Sequence, residues 1–205
     1  GALSGTNAIP TVTAPPATSI PFNTPFALTA TASDANGNPL TYSWEHNTAS
    51  GGSTSSYHGT TDDDDTNLGT SRILMRPYLP SASATRTFPS LAYILNNANE
   101  APVTFTGTSA TGSVCAGTCI TGEDLPSVAR TINYRVTVRD GQGGVADATT
   151  DVTFVNTTTP FSVTSQNTPV TYAGNSLQTI TWNVSGTTAA PINTANVRIF
   201  VSFDG

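Results

Sequence analysis

The 205-residue chain contains no lysine, and charged residues make up only 10% of its length. Its seven basic residues are all arginines, against thirteen acidic residues, which gives a formal net charge of −6. A protein that binds nucleic acid needs a basic surface that displaces counterions from phosphates. The composition therefore argues against a nucleic-acid partner.

The chain also lacks a long apolar run and a recognisable export signal. A helix that crosses a bilayer needs about 18 or more consecutive apolar residues, and no such run occurs. Residues 1–6 contain neither the basic nor the apolar part of a signal peptide. We therefore expect no membrane span, and a signal peptide that is removed or lies outside this sequence.

Histidine is scarce, since only His46 and His58 occur. A zinc protease of the His-Glu-x-x-His type needs two histidines one helical turn apart with a glutamate between them. A Gly-x-Ser-x-Gly nucleophile elbow is absent, and Glu45, Glu100 and Glu123 are expected at a strand end or in loops. No catalytic residue is predicted, so we expect that the chain is not an enzyme. Both histidines are expected in a solvated loop.

The two cysteines, Cys115 and Cys119, lie in a segment rich in glycine, threonine and serine. A structural zinc site would need two further soft ligands at a second position, and the sequence has none. We therefore predict a local disulfide that closes a short ring within a loop over residues 97–127. Such a bond stiffens the loop, contributes about 2 kcal/mol and fits an oxidising compartment.

Alternation of apolar and small polar residues is the dominant pattern in the chain. It predicts strands at residues 26–32, 40–44, 130–139 and 145–155. Leu40, Tyr42 and Trp44 share one face of their strand, with Trp44 at the centre of the core. A short helix is predicted at residues 90–96, with Ser90 as its N-cap. The pattern predicts an all-β chain, an immunoglobulin-like antiparallel β-sandwich with long loop insertions and one short helix, followed by a partial second β-sandwich.

Composition shifts divide the chain into three parts. They are a linker at residues 1–9, an immunoglobulin-like β-sandwich at 10–156, and the start of a second, incomplete immunoglobulin-like β-domain at 157–205. In the last part, alternation predicts strands at residues 161–163, 177–184 and 196–203. These are too few for a seven-stranded sandwich. We expect this part to be half of a domain, cut by the bounds of the sequence or completed by another chain.

Calcium is the most credible ion for this sequence. It takes six to eight oxygen ligands from carboxylates, amides and backbone carbonyls. Asp34, Asn36 and Asn38 alternate in a turn that contains Gly37, as the start of an oxygen cage does, and Asp140 follows a later strand. The alternative is a plain turn in which the same side chains hydrogen bond their own backbone. The pattern predicts a calcium site at Asp34, Asn36, Asn38 and Asp140.

A run of four carboxylates forms a second candidate site, made of Asp62, Asp63, Asp64 and Asp65. Adjacent carboxylates repel one another without a counter-ion. The run is interpreted either as a solvated part of the polar excursion over residues 46–70 or as a weak calcium site.

Several segments, taken in order, resemble one family. They are residues 20–30, 34–45, 76–80, 86–89, 130–140, 143–145, 160–164, 181–187, 190–193 and 197–199. Together they are similar to the region that follows the catalytic domain of bacterial secreted reprolysin-like zinc metalloproteases. The resemblance implies an accessory β-sandwich region of a large secreted protein, often anchored or released by further C-terminal domains, without protease activity of its own. The chain departs from the pattern at Asn47, where the family usually has an acidic residue.

These observations predict a secreted protein, either extracellular or at the bacterial cell surface. The leading hypothesis is a non-catalytic accessory or spacer module of a metalloprotease, stiffened by calcium, that contacts its own catalytic domain or binds substrate or a surface. One alternative is a structural subunit of an adhesin or filament that assembles with neighbouring copies by strand exchange. Another is a carbohydrate-binding module that presents Tyr57, Tyr78 or Tyr93 to a polysaccharide.

Overall fold

The structure, a computed structural model, describes residues 7–49, 74–75, 77–95, 104–108, 114–120, 123, 125–166 and 168–199. For residues 48–49, 104–108 and 114–120 it describes the backbone only. Within these ranges no helix is long and apolar enough to cross a membrane. The described elements are β1 (Thr11–Thr13), β2 (Thr18–Pro21), β3 (Phe26–Thr29), β4 (Thr31–Ser33), β5 (Thr41–Ala49), β6 (Thr85–Phe88), α1 (Leu91–Leu95), β7 (Thr104–Thr108), β8 (Val114–Ile120), β9 (Arg130–Arg139), β10 (Val145–Val155), β11 (Ser162–Val163) and β12 (Trp182–Asn183).

Most of the strands form two layers around one core. The first layer is a four-stranded sheet in the order β2-β10-β9-β5, antiparallel except for the parallel pairing of β2 with β10. The second layer consists of the antiparallel pairs β1-β4 and β3-β6, and β3 and β4 are separated only by Ala30. The all-β prediction is confirmed, as are the predicted bounds of β9 and β10 and the short helix.

The core lies between the layers because each inward face carries apolar side chains at every second position. Phe26 and Phe88 of the second layer stack with ring centroids 5.0 Å apart, and both rings contact Tyr134 of β9 edge-on. The core cluster consists of Leu28, Ala30, Trp44, Met75, Phe88, Leu125, Ile132, Tyr134, Val136, Val138, Val152 and Phe154, and Leu74 is also buried. Trp44 is 3% exposed, and its indole N–H donates to the Ala84 carbonyl at 3.0 Å. The prediction for Trp44 is therefore confirmed.

The prediction that His46 lies in a solvated loop is wrong. Strand β5 continues through His46 to Ala49, and the imidazole faces inward with 7% of its surface exposed. Its Nδ1 accepts a hydrogen bond from the Leu74 backbone N–H at 3.2 Å. The polar composition after Glu45 suggested a loop, but pairing with β9 extends the strand across these residues. His58 lies outside the described residues.

The cysteines are also placed differently from the prediction, since they lie in strand β8 rather than in a loop. Cys115 is opposite Gly107 and Cys119 is opposite Phe105, so residues 116–118 of β8 bulge opposite one residue of β7. The bulge brings the two cysteines closer along the strand than a fully extended segment would. Their side chains lie outside what the structure describes, and the disulfide stays a prediction.

The segment after residue 156 contains less strand than its alternation predicts. In residues 157–166 and 168–199, only β11 and β12 form, as an antiparallel pair of two residues each. Leu177 is 97% exposed, and no strand occurs in residues 177–181 or 196–199. The predicted strands at 177–184 and 196–203 are therefore wrong over most of their described length, because alternation indicates a face suited to burial but supplies no partner strand.

The burial of His46 makes the stability of the fold dependent on pH. Desolvation by burial, assisted by the charge of Arg130, lowers the pKa of His46 from 6.5 to about 3. The unfolded chain therefore binds a proton below pH 6.5 that the folded chain rejects. The stabilisation is complete above pH 6.5 and is lost as the pH falls toward 3, by about 1.4 kcal/mol per unit.

We predict that His46→Gln flattens this dependence, because glutamine can accept the Leu74 N–H bond and does not titrate. The measurement is the free energy of unfolding in urea at pH 6.5 and pH 4.5. The wild type should lose about 2–3 kcal/mol more than the variant between these values. The control His58→Gln should retain the wild-type slope. If the free energy of unfolding changed equally with pH in the wild type and in His46→Gln, His46 would be protonated in the folded state at pH 4.5.

Candidate cation site at the turn end of the sandwich

Two turns meet at one end of the first sheet because of the register of β9. Thr41, the first residue of β5, and Val145, the first residue of β10, both pair with Arg139, the last residue of β9. The turn at residues 34–37 precedes β5 and the turn at 140–144 joins β9 to β10. Strand pairing therefore places two Asp-containing turns next to each other, although more than 100 residues separate them in sequence.

Asp34 organises the first turn through one carboxylate oxygen. Its Oδ1 accepts the backbone N–H groups of Asn36 at 2.9 Å and Asn38 at 3.1 Å. The Gly37 N–H donates to the Asp34 carbonyl at 3.1 Å, and Gly37 has a φ of 74°, which a side chain would disfavour. The second oxygen, Asp34 Oδ2, is buried and has no hydrogen-bond partner among the described residues. This turn thus holds a carboxylate oxygen that no described donor compensates.

Asp140 organises the second turn in the same manner. Its Oδ1 accepts the N–H groups of Gln142 at 2.7 Å and Gly144 at 2.9 Å. The residue is 2% exposed, and its Oδ2 accepts the side-chain N–H of Asn7 at 2.6 Å. These hydrogen bonds, chiefly that from Asn7, lower the pKa of Asp140 and favour its charged form.

Asn7 and its neighbour connect the two turns. While Asn7 Nδ2 donates to Asp140, Asn7 Oδ1 accepts the side-chain N–H of Asn38 at 2.9 Å. The adjacent backbone N–H of Ala8 donates to Asn36 Oδ1 at 2.7 Å. Residues 1–9, which the sequence predicts to be a linker, therefore contribute Asn7 to the contact between the two turns. The sequence did not predict this role. No local signal identifies Asn7, because its partners are 31 and 133 residues away.

The structure brings together all four residues predicted as one calcium site and adds Asn7. We call this set, Asn7, Asp34, Asn36, Asn38 and Asp140, the turn cluster. It offers carboxylate and amide oxygens, the ligand types that calcium prefers. Within the described ranges no group of three or more His, Cys, Asp or Glu side chains is placed to hold a metal. The turn cluster contains only two carboxylates, and its other three side chains are amides. The buried, unpartnered Asp34 Oδ2 is compatible with a cation.

The second predicted calcium site, Asp62, Asp63, Asp64 and Asp65, lies outside the described residues. Among the described carboxylates, Glu123 has a different role, which its sequence context did not reveal. It is fully buried and forms an ion pair with Arg86. Glu123 also accepts the Ser90 N–H at 2.6 Å. Burial raises the pKa of Glu123, and the adjacent Arg86 charge opposes that rise.

Arg86 is held between two aromatic rings beside this ion pair. Its guanidinium carbon lies 4.5 Å from the ring centroids of both Tyr78 and Phe88, and it donates to the Trp44 carbonyl. Burial raises the pKa of Tyr78 to about 12, so its hydroxyl stays protonated at neutral pH. This arrangement fixes the packing of the second layer.

A cavity of about 240 Å³ lies next to Tyr78. Its rim carries several hydroxyl groups, but these groups already bond locally. Ser83 Oγ donates to the Thr85 carbonyl at 3.0 Å and accepts the Thr85 N–H, and Ser81 Oγ accepts the Ser83 N–H. A sugar-binding pocket needs a few polar groups directed at the ligand. The cavity therefore gives no particular support to a carbohydrate site.

Comparison with known proteins finds no protein-family model and no curated protein that matches the chain. A functional assignment therefore rests on the residues and the geometry described above.

The tight packing of Gly144 against Asp140 generates a prediction. A Cβ on Gly144 would lie 2.2 Å from Asp140 Oδ2 and 2.9 Å from the Pro10 ring. The carboxylate cannot move away without losing bonds from Asn7 and the turn. We therefore expect Gly144→Ala to lower the free energy of unfolding by about 1–3 kcal/mol. The control Gly174→Ala, which meets no atom within 4 Å, should stay within about 0.5 kcal/mol. Equal stabilities in thermal or urea unfolding would contradict the close contact.

Proposed function

We propose that the chain is a non-catalytic extracellular accessory module that acts as a spacer and is stiffened by calcium. The observation that carries this proposal is the turn cluster, in which Asn7 joins the Asp34 turn to the Asp140 turn. The β-sandwich fold supports a spacer role, because a sandwich keeps its two ends at a fixed separation. A cation at the cluster would fix the point where the preceding chain enters the sandwich.

Calcium would supply positive charge and non-directional bonds to oxygen at this position. Asp34 and Asp140 would contribute the negative charge, with Asp34 Oδ2 as the oxygen that no described residue hydrogen bonds. The side chains of Asn7, Asn36 and Asn38 would contribute amide oxygens. Rotation of the Asn7 amide by about 180° exchanges its N–H for its oxygen at the position facing Asp140. The cluster can thus change from an internally bonded state to a cation-binding state without moving the backbone.

The resemblance to the accessory region of reprolysin-like zinc metalloproteases supports placing this module in a larger secreted protein. The proposed partner is a catalytic domain of the same polypeptide, and the proposed location is extracellular or the bacterial cell surface. The net charge of −6 and the absence of lysine are compatible with that environment. A spacer would keep the catalytic domain at a set distance from a protein or polysaccharide surface.

The calcium proposal predicts a stability difference that depends on two carboxylates, those of Asp34 and Asp140. Calcium should raise the free energy of unfolding of the wild-type chain by about 2.7 kcal/mol at a concentration 100 times the dissociation constant. Asp34→Asn and Asp140→Asn should abolish most of this gain, because each removes a charge and keeps an oxygen that can accept the turn N–H bonds. The control Asp151→Asn removes an exposed carboxylate on β10 and should retain the gain.

The measurement is thermal unfolding with added calcium or with a chelator, together with calorimetric titration of calcium. If calcium raised the free energy of unfolding equally in all three variants, the turn cluster would not be the calcium site. A wild-type chain that does not respond to calcium would leave a spacer module without a metal.

A second candidate function is a structural subunit that assembles with neighbouring copies. It is favoured by a cavity of about 510 Å³ in the segment after residue 156, lined by Phe161, Val163, Ile180, Trp182, Val197 and Ile199 among others. Several of these side chains are half exposed, and the adjacent strands β11 and β12 have only two residues each. A strand from a second copy would cover the apolar side chains and pair with these short strands.

Assembly predicts a molar mass that rises with concentration in light scattering. Val197→Asp should keep the chain monomeric, because a carboxylate in the cavity opposes burial by another copy. The control Val170→Asp changes a valine of similar exposure that does not line the cavity, and should assemble as the wild type does. A wild-type chain that stays monomeric at all concentrations would rule out this function.

A further inference from the structure

One row of side chains across the first sheet is polar although it faces the core. His46 of β5 pairs with Tyr134 of β9, and Tyr134 pairs with Thr150 of β10. The three residues are 7%, 0% and 6% exposed. The neighbouring row, Trp44, Val136 and Ala148, is apolar. The polar row is therefore a local interruption of an otherwise apolar sheet face.

Each member of this row carries a buried polar atom with no hydrogen-bond partner in the described part of the chain, namely His46 Nε2, Tyr134 Oη and Thr150 Oγ1. A buried polar atom without a partner destabilises the folded state, because it has lost its hydrogen bonds to water. Native proteins usually satisfy such atoms, and an ordered internal water is the common solution where protein groups cannot reach.

The chemistry of His46 determines which ligand suits it. Nδ1 accepts the Leu74 N–H at 3.2 Å, so Nδ1 carries no proton. Burial keeps the ring neutral at pH 7, which leaves the single proton on Nε2. Nε2 is therefore a donor that requires an acceptor. The Tyr134 hydroxyl can both donate and accept.

The rings of His46 and Tyr134 lie close, with centroids 5.8 Å apart and an interplanar angle of 39°. Their polar atoms nevertheless make no direct hydrogen bond. The Thr150 hydroxyl differs in position, because it is one bond beyond its Cβ, near the sheet, whereas the tyrosine hydroxyl is at the far end of the ring. The ring separation is compatible with one ligand shared by His46 and Tyr134, and the Thr150 hydroxyl is expected to lie apart from that ligand.

We propose that the sandwich binds a single buried water between His46 Nε2 and Tyr134 Oη. The water accepts the imidazole N–H and hydrogen bonds with the phenol, so both buried groups are satisfied. It lies beside the register irregularity of β5 between His46 and Thr48. A slip of one residue at that point would turn the imidazole outward and lose the water. The site therefore favours one register of β5 on β9.

The test is a nuclear magnetic resonance experiment on the full chain labelled with nitrogen-15. A rotating-frame experiment separates dipolar contact with water from proton exchange, because the two give cross-peaks of opposite sign. The proton on His46 Nε2 should show a dipolar cross-peak to water in the wild type. The matched variants are Tyr134→Phe, which removes one ligand of the water, and Thr150→Val, which removes the hydroxyl that lies apart from it.

Tyr134→Phe should lose the cross-peak and lower the folding equilibrium constant about three- to tenfold. Thr150→Val should keep the cross-peak. If the wild type shows no dipolar cross-peak to water, that result alone overturns the proposal. A Tyr134→Phe protein that keeps the cross-peak, or that is as stable as the wild type, would overturn it as well.

Discussion

The pairing of β9 with both β5 and β10 is the constraint on which the rest of the structure depends. The inward face of β9 supplies Ile132, Tyr134, Val136 and Val138 to the core, all of them fully buried. Its register also decides what meets at the end of the sheet, because Arg139 pairs with the first residue of each neighbour. One strand therefore sets the core and the position of the candidate site together.

The core built around β9 contains charged and polar groups that an apolar sandwich would not need. The ion pair of Arg86 with Glu123 is almost fully desolvated, and such pairs are seldom net stabilising compared with apolar packing. Here the guanidinium also lies between the rings of Tyr78 and Phe88, which defines its orientation. Together with buried His46, these groups favour one arrangement of the layers over others of similar apolar content.

The turn cluster differs from these core groups because it lies where the chain enters the sandwich. Asn7 hydrogen bonds the side chains of Asn38 and Asp140, and the Ala8 backbone N–H donates to Asn36 Oδ1, so these bonds join residues 7–8 to both turns. A fixed position for the segment that leads into the sandwich would suit a module that spaces other domains. The same oxygens suit calcium, so the proposed spacer role and the proposed ion binding would use one set of residues.

Local pattern in the sequence was sufficient for the elements with strong alternation or clear turn chemistry. It predicted the bounds of β9 and β10, the short helix after Ser90 and the face of β5 that contains Trp44. It also predicted that Asp34 shapes a turn with Asn36 and Asn38, since those contacts span only two and four residues. In these cases the information lies within a few positions along the chain.

Only the tertiary structure decided the roles of Asn7, His46 and Glu123. Asn7 bonds residues 31 and 133 positions away, and Glu123 pairs with Arg86 across 37 positions. Such contacts leave no local pattern, because they follow from strand register rather than from neighbouring residues. The same reason explains residues 177–181, where alternation predicted a strand that did not form. A strand requires a partner with free backbone groups, and the sequence of the strand itself does not state whether that partner is present.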